Sequence, residues 1–396
     1  MDISYTPEQQ ALKNRIANYF KDFVTPDLIE EKKHPDFFEG GGPVFKQKMK
    51  QLAKDGLLGL GWPVELGGAG IGPVEQHIFT EEVMSSGFPY PFLTVDTVGP
   101  MLAQHGSEFI QENIVREILK GEIIISVGYS EPNAGTDLAS LQTRADRDEA
   151  TGDWIINGQK IWTSLGHYAD YVWLAARTNQ SPDIKKHKGI TLFLVPTALE
   201  GFSHTPIKTM GIRTNATYYQ DIRLPDKYRV GEIDGGWQLI TGQLNRERLS
   251  IVNPGMITGV FEQVCAWCAT SKDIDGKPLI STPWIKENLA RVHTGIETLK
   301  LLCWKQAWAM QTGNPDMADA SAAKVYGSEF FVEAWRLLLE VMGQAGTLSG
   351  DSEGAILKGV LEKRYRVGST LTFGGGTNEI QREIIASAGL WLPRAR

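Results

Sequence analysis

The segment Gly121-Glu122-Ile123-Ile124-Ile125-Ser126-Val127 decides the fold class, because helical patterning ends there. Before it, apolar residues recur at helical spacing, as at Leu12, Ile16 and Phe20. Thr6-Pro7-Glu8-Gln9 has the order of a capping box with proline at the first helical position, which predicts a helix start. From Ile123 a short β-branched run replaces the helical period and predicts a buried strand. The chain therefore changes from helices to strands near residue 121.

Three more short runs of β-branched or aromatic residues follow, with turn residues between them. They are Trp154-Ile155-Ile156-Asn157, Tyr171 to Ala175, and Ile190 to Val195. No helical pattern of useful length separates them, and no glycine-rich phosphate motif opens a helix, so a Rossmann unit is excluded. We predict an antiparallel barrel or sandwich. Asn157-Gly158 is a dipeptide that hairpin turns prefer, and we predict a tight turn there.

The helical period returns at Gly236 and persists to the end of the chain. It predicts long helices over Trp237 to about Lys272, Trp284 to Thr312, Met317 to Met342 and Ala355 to Tyr365, which together form a bundle. Pro254 is predicted to kink the first of them. The expected division is a helical domain at 1–121, a β domain at 122–234 and a helical domain at 235–396.

The composition limits the function. The net charge of −7 over 396 residues argues against a nucleic-acid binder, which needs a basic surface. Cys265, Cys268 and Cys303 are too few for a disulfide framework and favour a reducing compartment. Cys265 and Cys268 have CxxC spacing, but they lie in an apolar helical run, which favours a buried helix over a redox or zinc site. Met1 to Tyr5 lacks signal-peptide features, and no apolar run could span a bilayer, so we expect a cytoplasmic protein.

Three stretches are candidates for chemistry. Tyr129 to Asp137 follows a strand and combines small residues with hydroxyls, which would let the backbone approach a planar ligand. Ile161-Trp162-Thr163-Ser164 adds an aromatic ring and two hydroxyls. Leu244-Asn245-Arg246-Glu247-Arg248-Leu249 places one glutamate between two arginines. Taken singly, the first stretch also fits a plain hydroxyl-rich turn and the third a solvated ion-pair face.

Four ordered motifs in this chain resemble those of the acyl-CoA dehydrogenase flavoproteins. They are Pro63-x-Glu65-x-Gly67-Gly68-x-Gly70, Ser130-Glu131-Pro132-x-Ala134-Gly135-Thr136-Asp137, Asn157-Gly158-x-Lys160-x-Trp162-x-Ser164, and Gly376-Thr377-Asn378-Glu379-Ile380-Gln381-Arg382. The resemblance covers nearly the whole chain. It implies an α+β fold with an N-terminal helical domain, a central antiparallel β domain and a C-terminal four-helix bundle. It also implies FAD as cofactor, an acyl-CoA substrate and an electron-transferring flavoprotein as acceptor.

The resemblance also assigns site residues. Those expected to bind the cofactor are Tyr129, through its backbone, Ser130, Thr136, Trp162, Ser164, Gly375, Thr377 and Glu379. Those expected near the substrate are Thr136, Asn245, Arg248 and Gly375, with the Gly375 N–H directed at the thioester oxygen.

The family's reaction needs a carboxylate base, usually the glutamate of a Tyr-Glu-Gly-Thr motif near the C-terminus. Here the corresponding residues are Phe373-Gly374-Gly375-Gly376-Thr377, and Gly375 replaces the carboxylate. A minority of the family, similar to isovaleryl-CoA dehydrogenases, carries the base on a preceding helix directly before an arginine. Glu247-Arg248 matches that position. Glu247 is therefore the predicted base, and the alternative is a subunit without catalytic activity.

Two departures from the family pattern concern a partner subunit. Relatives that form homotetramers carry an Arg-x-x-Phe-Gly motif that reaches the FAD of a neighbouring subunit. Here the corresponding segment is Lys272-Asp273-Ile274-Asp275-Gly276, and Glu340 stands where these relatives usually have a glutamine. The pattern resembles the Glu-bearing subunits of α2β2 acyl-CoA dehydrogenases that degrade steroid side chains. It implies a related partner chain that supplies FAD contacts, and a bulky acyl group. A flavin-dependent oxidase or monooxygenase of the same fold, and a non-catalytic partner subunit, are the alternative functions.

Overall fold

The computed structural model describes residues 4–34, 36–350 and 352–393. The chain forms two compact units. The first comprises Met1–Val24, Pro73–Phe88 and Arg248–Arg396, and the second Thr25–Gly72 and Pro89–Glu247. The linear division at residues 121 and 234 is a different grouping and stays a prediction. Met1-Asp2-Ile3, which belong to the stretch on which the absence of a signal peptide was judged, lie outside the described residues.

The chain has three parts in order: helices α1 to α7, strands β1 to β8, and helices α8 to α13. The α-helices are α1 Pro7–Phe20, α2 Pro26–Glu31, α3 Pro43–Lys54, α4 Pro73–Ser85, α5 Gly99–His105, α6 Glu108–Ile110, α7 Arg116–Leu119, α8 Gly236–Ile251, α9 Gly255–Thr270, α10 Pro283–Gln311, α11 Met317–Met342, α12 Val360–Gly368 and α13 Asn378–Ile384. The strands are β1 Ile125–Gly128, β2 Arg144–Arg147, β3 Trp154–Lys160, β4 Tyr171–Arg177, β5 Ile190–Pro196, β6 Phe202–Lys208, β7 Arg213–Leu224 and β8 Arg229–Val230. A π-helix covers Leu93–Val98.

The second unit is built on one sheet with the strand order β6-β7-β3-β2-β4-β5-β8, and β1 pairs with β4. The helical and β parts of the α+β prediction are confirmed. The sheet is mixed, however, because β1 and β2 both pair parallel to β4 while the other pairings are antiparallel. The sequence missed β2, β6, β7 and β8. β2 and β6 carry mostly exposed polar side chains, and Pro206 is tolerated in β6 because that strand lies at a sheet edge.

The predicted turn at Asn157-Gly158 is wrong, because both residues lie inside β3. The pairing of β3 with β7 shifts register between Ile156 and Gly158, as at a β-bulge. A Cβ atom built on Gly158 would lie 2.5 Å from the Thr143 hydroxyl oxygen and 2.7 Å from the Thr143 Cα. Glycine is therefore required here by the close approach of Thr143, which precedes β2, and not by a hairpin.

The first unit contains α1, α4 and α9 to α13. Its core includes Val292 and Leu299 of α10 and Phe331 and Leu338 of α11, and all four side chains are fully buried. The capping box at the start of α1 is confirmed: the Thr6 side chain accepts the Gln9 N–H, and the Gln9 side chain accepts the Thr6 N–H. Thus α1 begins where the sequence predicted.

The sequence predicted that Pro254 kinks one continuous helix. In the structure it instead separates two helices. α8 ends at Ile251, Pro254 is the N-cap residue of α9, and the Asn253 side chain accepts the Gly255 N–H. Proline has no N–H to donate and disfavours helical backbone at the preceding residue, so the helix ends before it.

Cys265 and Cys268 both lie in α9, and all three cysteines are free thiols. Burial and the neighbouring Cys265 raise the pKa of Cys268 to about 11, and burial raises the pKa of Cys303. Among the helices of the described residues, none is both long and apolar enough to cross a membrane.

We expect Cys268 and Cys303 to resist the thiol reagent DTNB in the native protein at about pH 8, because a raised pKa keeps each thiol protonated and the thiolate is the reactive form. Raising the pH by one unit should increase the thiolate fraction about tenfold but leave it small, since the pKa of Cys268 is about 11 and burial also raises that of Cys303, so labelling should stay slow. Absorbance at the thionitrobenzoate band measures the reaction. Unfolding in guanidinium is the control and should release all three thiols. Rapid labelling of Cys268 in the native state would contradict the buried-helix interpretation.

Candidate active site

Glu247 lies in the last part of α8 and is partly buried. Gln243 precedes it by one helical turn, which places both side chains on the same face. The Gln243 Nε2 donates a hydrogen bond of 2.8 Å to Glu247 Oε2. Of the flanking arginines, Arg248 is only 6% exposed, while Arg246 is partly buried and burial lowers its pKa. The hexapeptide is therefore partly enclosed, and the alternative of a fully solvated ion-pair face does not describe the environment of Arg248.

Gln243 is itself fully buried and connects Glu247 to the sheet. Its Oε1 accepts a hydrogen bond from the Tyr129 hydroxyl at 3.2 Å, and its Nε2 also donates to the Thr97 hydroxyl at 3.2 Å. The Tyr129 oxygen in turn accepts from the indole N–H of Trp173 on β4 at 2.7 Å. Burial raises the pKa of Tyr129, so the phenol is neutral and able to donate.

A buried ion pair fixes the loop that follows β1. Lys160 Nζ lies 2.8 Å from Glu131 Oε1, and the Lys160 side chain is fully buried. Burial lowers the pKa of Lys160 to about 8, against the opposing effect of Glu131. The Glu131 carboxylate also accepts the backbone N–H groups of Gln142 at 2.6 Å and Thr143 at 2.8 Å. One carboxylate therefore holds both ends of the loop, and Lys160 neutralises it.

The loop after β3 presents an exposed aromatic ring. Trp162 is 56% exposed and has a φ of +62°, a left-handed conformation that bulky residues rarely adopt. The Ile161 N–H donates to the Ser130 carbonyl at 2.8 Å, which joins this loop to the loop after β1. Strained backbone at an exposed aromatic is a feature of ligand sites, and costs on the order of 1–3 kcal/mol. This loop is therefore a candidate ligand surface.

These residues fit a planar ring system such as a flavin. A Cβ atom built on Gly135 meets nothing within 4 Å, so the loop around it borders open space. Thr136 is exposed, while Ser130 and Ser164 are partly buried, and each carries a hydroxyl able to donate a hydrogen bond. The exposed Trp162 ring supplies a face for stacking.

The basic run between β4 and β5 contacts the same loop. The Lys186 ammonium pairs with Asp137, and hydrogen bonds from Lys186 and Ser140 lower the pKa of Asp137. Arg177 donates to the carbonyl of Ala139 at 2.6 Å. Lys186 and Arg177 therefore brace the loop that ends at residue 143.

In the first unit, the glycine-rich segment 373–377 is anchored by a buried lysine. Lys324 Nζ is fully buried and donates to the carbonyls of Gly376 at 2.8 Å and Thr372 at 3.2 Å and to Asn378 Oδ1 at 2.8 Å. Gly375 and Gly376 have φ values of +67° and +92°. The segment therefore has a backbone conformation that suits glycine, and Gly375 brings no carboxylate to it.

Thr377 and Glu379 are placed at the start of α13. The Thr377 hydroxyl is the N-cap and accepts the Ile380 N–H at 3.3 Å. Glu379 is exposed, and hydrogen bonds with its own backbone and with Thr377 lower its pKa. Both residues have local roles in helix capping. Their predicted role in cofactor binding stays a prediction.

The sequence interpretation assigned no role to Gln243, Lys160 or Lys324. Gln243 was detectable, because residues four apart share a helix face and a buried amide there reaches the Glu247 carboxylate. Lys160 stood inside a quoted motif, but only the structure shows that its partner is Glu131. For Lys324 the sequence offers no signal beyond a lysine in an apolar helical pattern.

The chain matches known proteins along its whole length. Residues 6–122, 126–223 and 234–390 match the N-terminal, middle and C-terminal domains of acyl-CoA dehydrogenases. The chain is 48% identical over 401 residues to the acyl-CoA dehydrogenase FadE26 of Mycobacterium tuberculosis, with 100% of each chain covered. Similar solved structures include the ChsE4-ChsE5 complex from Mycobacterium tuberculosis, with a TM-score of 0.90, 48% identity and 100% of each chain covered. The Tcur3481-Tcur3483 steroid ACAD also has a TM-score of 0.90, with 41% identity and 100% of each chain covered.

Replacing Lys160 by Met should lower the free energy of unfolding by about 3–5 kcal/mol, because Glu131 would keep a buried charge without its cation. Denaturant titration monitored by tryptophan fluorescence measures the loss. Lys120→Met is the matched control: its ion pair with Glu117 is exposed, so we expect a change of about 0–1 kcal/mol. Adding Glu131→Gln to Lys160→Met should recover part of the loss. Equal effects of the two single lysine variants would disprove the role of the pair.

Proposed function

Because this chain belongs to the acyl-CoA dehydrogenase family, whose cofactor is FAD, we propose that it oxidises a bulky acyl-CoA thioester to the α,β-enoyl-CoA with Glu247 as the base. The observation that carries the proposal is the partly buried Glu247 carboxylate, which a fully buried amide on the same helix face holds in place. The 373–377 segment has glycine where most relatives carry the base. Glu247 thus supplies the carboxylate that this segment lacks.

Glu247 would remove the proton from the α-carbon of the thioester. A partly desolvated carboxylate is a stronger base toward carbon than a hydrated one, because water no longer stabilises its charge. The Gly375 N–H would donate to the thioester oxygen as negative charge develops there. When bound, FAD supplies the acceptor for the β-hydrogen, which leaves as hydride. The α-proton and the β-hydride together account for the two electrons and two hydrogens that the substrate loses.

The residues proposed to hold FAD share small size, hydroxyl donors or an aromatic face, and are Tyr129, Ser130, Thr136, Trp162, Ser164, Gly375, Thr377 and Glu379. Those proposed to contact the substrate are Thr136, Asn245, Arg248 and Gly375. Asn245 precedes Glu247 by two residues on α8 and would face the pantetheine arm of CoA. Arg248 is buried, which suits a residue that supports the site rather than one that only faces solvent.

We propose a steroid-type acyl group and a heteromeric assembly. Two similar solved structures are complexes of two chains, and one of them is a steroid ACAD. In this chain Asp273 Oδ1 accepts the N–H groups of Asp275 and Lys277 and forms a tight turn, with Ile274 fully exposed at its tip. Aspartates at 273 and 275 would repel an FAD pyrophosphate. A related chain in an α2β2 complex would supply the missing contacts, and an electron-transferring flavoprotein would accept the electrons.

Two alternative functions would give different experimental results. An oxidase or monooxygenase of this fold would turn over with oxygen alone, whereas a dehydrogenase needs an electron acceptor. A non-catalytic partner subunit, which Gly375 favours, would be insensitive to the loss of Glu247.

Replacing Glu247 by Gln in the reconstituted complex should lower the rate of flavin reduction by a steroid acyl-CoA by about 10²–10⁴-fold, because the amide cannot accept the α-proton. Anaerobic stopped-flow absorbance of the flavin measures this rate. Glu232→Gln, which changes an exposed glutamate in the same unit, is the control and should leave it unchanged. A Glu247→Gln complex as fast as the unaltered one would identify this chain as the non-catalytic partner.

The chain expressed alone should retain little FAD, and co-expression with its partner should give one FAD per heterodimer. We expect weak FAD binding by the chain alone because its 272–276 turn has neither the arginine nor the phenylalanine that homomeric relatives carry there. Flavin absorbance after protein precipitation, divided by chain concentration, measures the occupancy. The outcome that rules out the heteromer is a chain that is fully flavinated and active by itself.

A further inference from the structure

Three buried polar side chains form a continuous hydrogen-bonded chain that ends on the partly buried Glu247. Trp173 lies on β4, Tyr129 in the loop after β1, and Gln243 on α8, and all three are less than 9% exposed. The successive contacts are 2.7 Å from Trp173 Nε1 to the Tyr129 oxygen, 3.2 Å from that hydroxyl to Gln243 Oε1, and 2.8 Å from Gln243 Nε2 to Glu247 Oε2. Of these four side chains, the proposed chemistry uses only that of Glu247.

The chemistry of the donors fixes the direction of this chain. An indole N–H can only donate, so the Tyr129 oxygen accepts from Trp173 and has its own proton left for Gln243. The Tyr129 hydroxyl stays protonated because burial raises its pKa. Gln243 therefore must turn Oε1 toward Tyr129. Its Nε2 is then the only end that can face Glu247, and an NH₂ group can only donate.

A second contact fixes the same orientation independently. Thr97 Oγ1 donates to the Leu93 carbonyl at 2.7 Å within the π-helix Leu93–Val98. Because a hydroxyl has one proton, Thr97 can only accept from Gln243, at 3.2 Å. Both hydrogens of the Gln243 amide are thereby used, one on Thr97 and one on the carboxylate. A flipped amide would place its oxygen against the Glu247 carboxylate and lose all three contacts.

We propose that Gln243 is a positioning residue for the base: the Trp173-Tyr129-Gln243 relay holds the Glu247 carboxylate in one rotamer and stabilises its charged form. This inference rests on the proposed role of Glu247. A base on a rigid helix needs only its side chain to be oriented, and one buried donor a turn away achieves this. The same donor favours the deprotonated carboxylate, which is the form that accepts a proton.

The charged and titratable groups near this relay come from several elements. α8 contributes Arg246, Glu247 and Arg248, and the loop after β1 contributes Tyr129 and Glu131. Lys160 at the end of β3 pairs with Glu131 and donates to the Tyr129 carbonyl at 3.0 Å, and His105 at the end of α5 interacts with Arg246. Thr97 and Trp173 do not titrate. Removal of Gln243 therefore removes a donor without removing a charge, so a change in the titration of the base reports the hydrogen bond itself.

The test is the pH profile of flavin reduction by a steroid acyl-CoA in the complex carrying Gln243→Leu. We expect the acidic limb to move upward by about one pH unit, because a charge-assisted hydrogen bond to the carboxylate is lost. The rate near neutral pH should fall by about tenfold or more. Tyr129→Phe should shift the limb in the same direction by a smaller amount, since the amide remains but is no longer held. Gln238→Leu, at an exposed position on the same helix, is the matched control and should leave the profile unchanged.

Thermal melting and flavin content of each variant identify any that fail to fold, and Tyr129→Phe then decides the result, since it removes a single oxygen. Unshifted profiles in both Gln243→Leu and Tyr129→Phe, combined with an inactive Glu247→Gln complex, would overturn the relay and leave the base assignment standing. An active Glu247→Gln complex would instead overturn the proposed function. The two failures are therefore distinguishable.

Discussion

A carboxylate that must be both charged and poorly hydrated is the constraint on which this site depends. A partly buried carboxylate such as Glu247 loses part of its hydration, and an isolated buried charge is costly, so a hydrogen-bond donor has to replace part of the lost water. Gln243 does so through a single hydrogen bond of 2.8 Å. The buried amide then has its own requirements, which the hydroxyls of Tyr129 and Thr97 satisfy. The buried polar side chains Gln243, Tyr129 and Thr97 are thus connected in sequence to one partly buried glutamate.

The same logic appears at the loop after β1, where a glutamate again organises backbone through a buried partner. Glu131 closes the loop by accepting two backbone N–H groups, and Lys160 balances its charge. This pair is structural, because it is enclosed and each of its groups is satisfied by protein atoms. The result is a rigid loop beside the exposed Trp162. A rigid loop at this position would fix the position of a planar ligand stacked on Trp162.

The sequence predicted the order of helices and strands because the apolar period changes at residue 121 and again at Gly236. It did not predict β2 and β6, whose side chains are mostly polar and which are held in the sheet by backbone pairing. It wrongly predicted a turn at Gly158, because the sequence alone does not distinguish a glycine needed for a close approach from one needed for a turn. At the site, motif order identified the loops, but partners such as Glu131 and Lys160 are set by tertiary packing that no local pattern records.

The backbone of the glycine-rich segment explains why residue 375 is glycine and not glutamate. Gly375 has a φ of +67°, where a residue with a Cβ atom is strained by roughly 1–2 kcal/mol. Lys324 and Gln381 hold the carbonyls of Gly376 and Gly375 and so maintain this backbone conformation. A glutamate at 375 would therefore strain the segment or force it to rearrange. A base on α8 carries no such cost, since its backbone is regular helix and only one side chain needs to be oriented. Each residue therefore suits the backbone it occupies: Gly375 a left-handed conformation that favours glycine, and Glu247 a regular helix.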